Sequence, residues 1–260
     1  MAKFESTNPM LNVDRIRRYD SAVATKSETA MMTLAGTAQK SLILIALCIV
    51  SAGLMFSHIY NGVVDGSINT LSYGLAMGAL IGALIFYFVG LFFVKTAFIC
   101  APLYAILEGV VLGNLSAIFE IQYPGIVFQA TLATFSVTAV MFVGFSTGLF
   151  KVTAKFRSMI FAAGVAVFLT YIVDLLLSLF SGSGLSFLSV QNTSLLSIGI
   201  SVIICIVAAL FLLLDFDNIA NLHGQVSKHY EWVCGMGLLA TIVWLYVEIL
   251  KLLAKLNNRN

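Results

Sequence analysis

The chain has 260 residues, 60% of them hydrophobic and 10% charged, and its 14 Lys and Arg against 12 Asp and Glu leave a net charge of +2. Soluble domains carry about 25% charged residues, so an ordinary soluble enzyme or binding domain is excluded. The stretches outside the apolar runs are too short to build a core of their own, which leaves the runs and their rims to carry function.

Residues 1–40 form a polar, mixed-charge tail without a cleavable signal sequence, because the first apolar run is already long enough to span a bilayer. Seven apolar runs follow, at about 41–60, 71–94, 98–118, 125–150, 158–180, 194–216 and 232–254. With a rise of about 1.5 Å per residue, about 20 residues cross about 30 Å of hydrocarbon, so each run predicts a transmembrane helix. The expected fold is all-α: a multi-pass integral membrane bundle of seven transmembrane helices over 41–256, in contact with the lipid bilayer, behind an N-terminal tail over 1–40.

Gly74, Gly78 and Gly82 in the second span, Gly109 and Gly113 in the third, and Gly144 and Gly148 in the fourth repeat every fourth residue. That spacing lets helix backbones approach closely where hydrophobic burial cannot drive association. Residues Gly144-Phe145-Ser146-Thr147-Gly148 also match the G-x-S-x-G pattern of serine hydrolases. The hydrolase motif works on a strand-to-helix turn that lifts the serine towards a histidine. Here the motif is expected inside an apolar helix, and no span interior contains histidine, so neither an enzyme nor a catalytic residue is expected. No cofactor and no nucleic-acid partner is expected either. Cys48, Cys100, Cys205 and Cys234 lie in or beside spans and read as buried packing residues.

Lys3, Arg15, Arg17, Arg18, Lys26 and Lys40 in the tail, and Lys95, Lys151, Lys155, Arg157 and Lys228 in later loops, all fall on one side of the predicted membrane. The opposite loops, 61–70, 119–124 and 181–193, contain neither Lys nor Arg. The positive-inside rule therefore predicts a cytoplasmic N-terminus. Seven spans send the C-terminus outside, where Lys251, Lys255 and Arg259 break the rule; Lys251 and Lys255 are expected to snorkel to the outer interface. With no retention or lipidation motif, a bacterial plasma membrane is the simplest location.

An acid at bilayer depth costs about 2.5–3.5 kcal/mol, and four stand out: Glu108, Asp174, Asp215 and Glu248. Helical rise places Glu108 about 15 Å from the cytoplasmic side and Asp174 and Glu248 about 24 Å from it, with Asp215 at the inner end of the sixth span. Such carboxylates are protonated, hydrogen-bonded to one another or lining water. They point to a cation pathway in which protonated acids are neutral and closed, whereas ionised ones repel each other and attract a hard cation such as Ca²⁺. The expected ion-pathway or pH-sensing residues are Asp215, Glu108, Asp174 and Glu248, with a transient Ca²⁺ at Asp215 as the only metal. Lys251 and Lys95 are the basic partner candidates. Three residues apart, Glu248 and Lys251 also read as an intrahelical ion pair. Asp215 also reads as an interfacial helix-end residue, and Asp217, about 200° around the helix from it, as solvated.

Four stretches, Thr33–Lys40 (TLAGTAQK), Ala105–Gly113 (AILEGVVLG), Leu212–Ile219 (LLLDFDNI) and Lys228–Leu256 with its YEW and WLYVEILKLLAKL, are similar to the Bax inhibitor 1 / YccA family, most closely its bacterial branch. The resemblance covers nearly the whole chain. It implies six helices around a central last one, and a pH-sensitive calcium leak governed by two aspartates on the last two helices. Asp215 matches the first aspartate; an ungapped alignment puts Ala240 at the second, with Glu248 two turns later. The family's arginine in span two has no counterpart but Lys95 at that span's end. The YccA branch implies, as the alternative, a non-transporting regulator of a membrane-embedded protease, with the tail and its Arg15, Arg17 and Arg18 as the binding element.

Overall fold

The computed structural model describes residues 31–64 and 70–259. In hydrocarbon, backbone N–H and C=O groups must be satisfied within the segment, and each apolar run forms a helix. These are α1 (Leu34–Val64), α2 (Thr70–Phe92), α3 (Ala97–Gln122), α4 (Ile126–Ser146), α5 (Ala154–Ser181), α6 (Leu195–Leu222) and α7 (Tyr230–Asn257), with a 3-10 turn at Val94–Thr96. All seven are long and apolar enough to cross a membrane. Among the described residues there is no strand, only an isolated antiparallel bridge between Met31 and Ser227. Helices α3, α6 and α7 hold most of the buried residues, while the other four expose most of their Leu, Ile, Val and Phe, as a lipid-facing surface requires.

Three helix ends depart from the apolar runs. Helix α1 starts at Leu34, about two turns ahead of its run, and takes Lys40 inside the helix. Helix α6 continues to Leu222, so Asp215 lies within the helix and not at its end. Helix α4 stops early, at Ser146, because Gly148 turns the chain at φ 73° and Phe150 N–H donates to Gly144 O at 3.0 Å. The G-x-S-x-G match consequently straddles a helix end instead of lying inside a helix. At the other end of α4, both carboxylate oxygens of Glu120 accept from backbone: Gly125 N at 2.6 Å and Val127 N at 3.0 Å. An acid here satisfies orphan N–H groups and complements the helix dipole.

The described residues of Met1–Asn114 and Asn218–Leu239 pack as one unit, and those of Leu115–Asp217 and Ala240–Asn260 as a second. In the first unit α1 and α3 meet backbone to backbone. A Cβ on Gly109 would run into Cys48 O and Ser51 Oγ, and one on Gly113 into Ala52 O. The small-residue spacing in α3 thus marks a true close approach. Its counterpart in α2 does not: Gly74 and Gly78 have no described atom within 4 Å, and only Gly82 packs, against Leu107. Side chains make the α2–α3 contact instead, with the rings of Tyr87 and Tyr104 5.3 Å apart. In the fourth span Gly144 receives the ring of Phe150, so it serves its own turn and not a neighbouring helix. All four cysteines are free; Cys48 and Cys100 are buried, and Cys205 and Cys234 half-buried.

Gly113→Leu should lower stability by about 1–3 kcal/mol or more, the cost of overpacking a tight contact, seen as a lower unfolding midpoint in detergent. Gly78→Leu should leave that midpoint within about 0.5 kcal/mol of wild type, as expected of an exposed position. Equal losses in the two variants would contradict the α1–α3 assignment.

Candidate functional site

In the second unit, Thr241, Trp244, Glu248, Lys251 and Lys255 recur every three or four residues and share one face of α7. Ser197, Ser201, Cys205, Ala208, Leu212 and Asp215 do the same on α6. The two faces meet as an antiparallel polar seam. At one end the Thr241 side chain hydrogen-bonds the Asp215 carboxyl, and the Phe211 ring packs edge-on to Trp244 with centroids 5.6 Å apart. At the other end Lys255 reaches Ser197 and Ser201. Gly164 of α5 gives Phe211 its place, because a Cβ at Gly164 would occupy the ring's position.

Asp215 Oδ2 is fully buried and has no hydrogen-bond partner among the described residues. Buried side-chain oxygens are almost always bonded, so this one is exceptional. Ala240, placed by the ungapped alignment where the family's second aspartate falls, precedes the residue that meets Asp215. A neutral hydroxyl on Thr241 thus faces the acid.

The remaining predicted acids of this unit are each engaged. Glu248 Oε1 accepts from Tyr171 Oη at 2.7 Å and from Lys251 Nζ at 3.0 Å. The Lys251 ammonium also lies over the Tyr171 ring, 5.0 Å from its centroid. The intrahelical pair is therefore formed, and α5 extends it. Asp174 Oδ1 accepts from Leu185 N at 2.6 Å and occupies the space a Cβ on Gly184 would need, which anchors the turn after α5. Asp217 is not solvated as expected: it pairs with Arg157 of α5, each side chain about one-fifth exposed, because the first turn of α5 reaches it. Lys255 does not snorkel either. It is 1% exposed, with its ammonium bonded to Phe187 O, Ser197 Oγ and Ser201 Oγ.

Two predicted residues lie in the first unit. Glu108 is half-buried on α3, within electrostatic range of Cys48 and Tyr104. Lys95 is exposed on the 3-10 turn and makes no ion pair among the described residues. Asp215 and Asp174 do not join Glu248 in one cluster, and no three His, Cys, Asp or Glu side chains group as metal ligands among the described residues.

The first unit contains a charged centre missed by the sequence reading. Glu231, in the first turn of α7, is wholly buried, yet its carboxylate pairs with Lys40 and accepts from Thr33 N at 2.9 Å and Thr33 Oγ1 at 3.1 Å. Gly36 gives it room, since a Cβ there would collide with the carboxylate. The Lys40 ammonium also sits 5.3 Å from the Trp232 ring centroid. Just upstream, Met32 N donates to Val226 O at 2.9 Å and Gly224 N to Met32 O at 3.0 Å. The buried Met32 side chain packs with Leu222 and Val226, so the start of α1 is tied to the α6–α7 loop. The usable signal was long-range: TLAGTAQK and YEW, two stretches that carry the family resemblance, are the two that touch.

Among the described residues, seven membrane-length helices, with three ion pairs formed inside the units, define a multi-pass helical membrane protein. The family model described as Bax inhibitor 1 like matches residues 8–258, nearly the whole chain, and the chain belongs to that family. Neither a curated protein nor a solved structure matches it.

Lys40→Met leaves the Glu231 carboxylate buried without its cation and should cost about 3–5 kcal/mol, read as a lower unfolding midpoint in detergent. Adding Glu231→Leu to Lys40→Met should restore much of the loss. A single variant as stable as wild type, or a double variant no better than the single, would contradict the ion-pair role.

Proposed function

We propose that this protein leaks cations, Ca²⁺ foremost, across the cytoplasmic membrane, with its N-terminus in the cytoplasm and Asp215 as the carboxylate the ion meets. The observation that carries this reading is the buried Oδ2 of Asp215, which has no hydrogen-bond partner among the described residues. In the second unit Glu248 and Asp217 have their charges matched by cations, and Asp174 holds a turn. Among the described residues Asp215 meets only a neutral hydroxyl, that of Thr241. It is the acid best placed to attract a passing cation.

Resident Ca²⁺ takes 6–8 oxygen ligands, and one carboxylate with one hydroxyl falls well short of that. Conduction calls for a site weak enough to release its ion, and this donor set suits passage. Protonation would remove the attraction, so flux should rise with pH through the titration of Asp215. Glu108, half-buried in the first unit, is our second candidate for the path. The Lys and Arg bias of the tail and of three loops supports the orientation. We read the protein as a conductor and not an enzyme, since the lone hydrolase-like motif sits at a helix end where Gly148 turns away from α4.

In liposomes loaded with a Ca²⁺ indicator, Asp215→Asn should lower flux about tenfold, equivalent to a barrier change of about 1.4 kcal/mol. Wild-type flux should increase between about pH 6 and about pH 8, while the variant stays flat. Equal fluxes with the same pH profile would remove Asp215 from the mechanism.

A further inference from the structure

Lys255 is a buried cation with no acid in contact among the described residues. Its Nζ bonds Phe187 O at 2.9 Å, Ser197 Oγ at 2.8 Å and Ser201 Oγ at 2.9 Å, with Ser197 O at 3.5 Å. Every ligand is a neutral oxygen, and the residue makes no salt bridge among the described residues. A buried ammonium is normally matched by a carboxylate. What surrounds this one is a cage of carbonyl and hydroxyl oxygens, the donor set that replaces the hydration shell of a monovalent cation in selective pores.

The cage is built independently of the lysine. Ser197 Oγ donates to Phe187 O at 2.7 Å, tying the α5–α6 loop to the first turn of α6. Asp174 holds the same loop at Leu185, and Asn258 Nδ2 donates to Val190 O at 3.2 Å. Phe187 O and Ser197 are therefore positioned by contacts of their own, and Ser201 is carried by the helix one turn further along α6. Lys255 enters from the last turn of α7, whose dipole favours a cation at that end. It sits at the opposite end of the seam from Asp215.

We propose that the Lys255 ammonium is a tethered cation that occupies, and so plugs, a monovalent-cation site formed by Phe187 O, Ser197 O, Ser197 Oγ and Ser201 Oγ. The plug part of this proposal rests on the leak reading given above. The site itself takes ammonium or a primary alkylammonium when the lysine is shortened. A cation using the seam must displace the tether, which makes Lys255 and its two serines the closing element at this end.

Two experiments test it together. In detergent, Lys255→Ala should gain several degrees of thermal stability from propylammonium chloride, which replaces the deleted Cγ, Cδ, Cε and Nζ, and less from ammonium chloride. N-methylglucamine chloride at equal strength should give no gain, and neither wild type nor Lys255→Ala/Ser197→Ala/Ser201→Ala should respond. No selective gain, or the same gain in the triple variant, overturns the site.

In liposomes, Lys255→Ala and Ser197→Ala/Ser201→Ala should each raise cation flux several-fold over wild type. The serine double variant keeps the lysine stem and decides the flux question even if Lys255→Ala does not fold. Wild-type flux from both variants, with Asp215→Asn still reducing flux, overturns the plug and leaves the leak reading intact. Equal flux from wild type and Asp215→Asn overturns the leak reading, and the plug with it.

Discussion

A charge in hydrocarbon must be matched within the protein, and the helix ends and polar contacts of this molecule follow from that requirement. Glu231 draws in Lys40 and the backbone and hydroxyl of Thr33, and this pairing lets α1 begin at Leu34. Arg157 and Asp217 are joined where α5 begins. Glu248 is met by Lys251 and by Tyr171 from α5. The helices supply apolar surface to the lipid, while the ionised side chains determine which helices approach and at what register.

Against that background Asp215 and Lys255 stand out for opposite reasons. Among the described residues Asp215 retains a buried oxygen that no donor reaches, whereas Lys255 has a full set of bonds but only neutral acceptors. Both lie on one polar seam of α6 and α7, separated by the Phe211–Trp244 pair and the Tyr171–Glu248–Lys251 cluster. Removing one partner from a buried ion pair is costly, and a group left unmatched persists when something else uses it. A transient cation at the acid and an oxygen cage around the ammonium supply such uses, one at each end of the seam.

The seven helices were legible because uninterrupted apolar runs of membrane length have few other outcomes. The helix ends were less so. Lys40 and Asp215 looked like boundary markers because charge usually stops a span, and the partners that permit them inside helices lie far away in sequence. Glu231 falls just before the seventh apolar run, and nothing local announces that Lys40, 191 positions earlier, will pair with it. Lys255 suggested snorkelling, the default for a lysine near a helix end, and the serines that capture it are 54 and 58 positions away. The Glu248–Lys251 pair was readable because its spacing is local. The α3 glycines met a partner backbone and Gly74 and Gly78 did not, a distinction set by tertiary packing that the shared spacing cannot express.

Both ends of the seam work as proposed only if the Asp215 carboxyl is available to a cation inside the membrane domain. Infrared difference spectra of the protein in lipid, recorded with and without Ca²⁺, test it directly by reading the carboxyl and carboxylate stretching bands. A Ca²⁺-dependent change in those bands that disappears in Asp215→Asn is the expected result. A change of the same size in both proteins, or none in wild type, would contradict it.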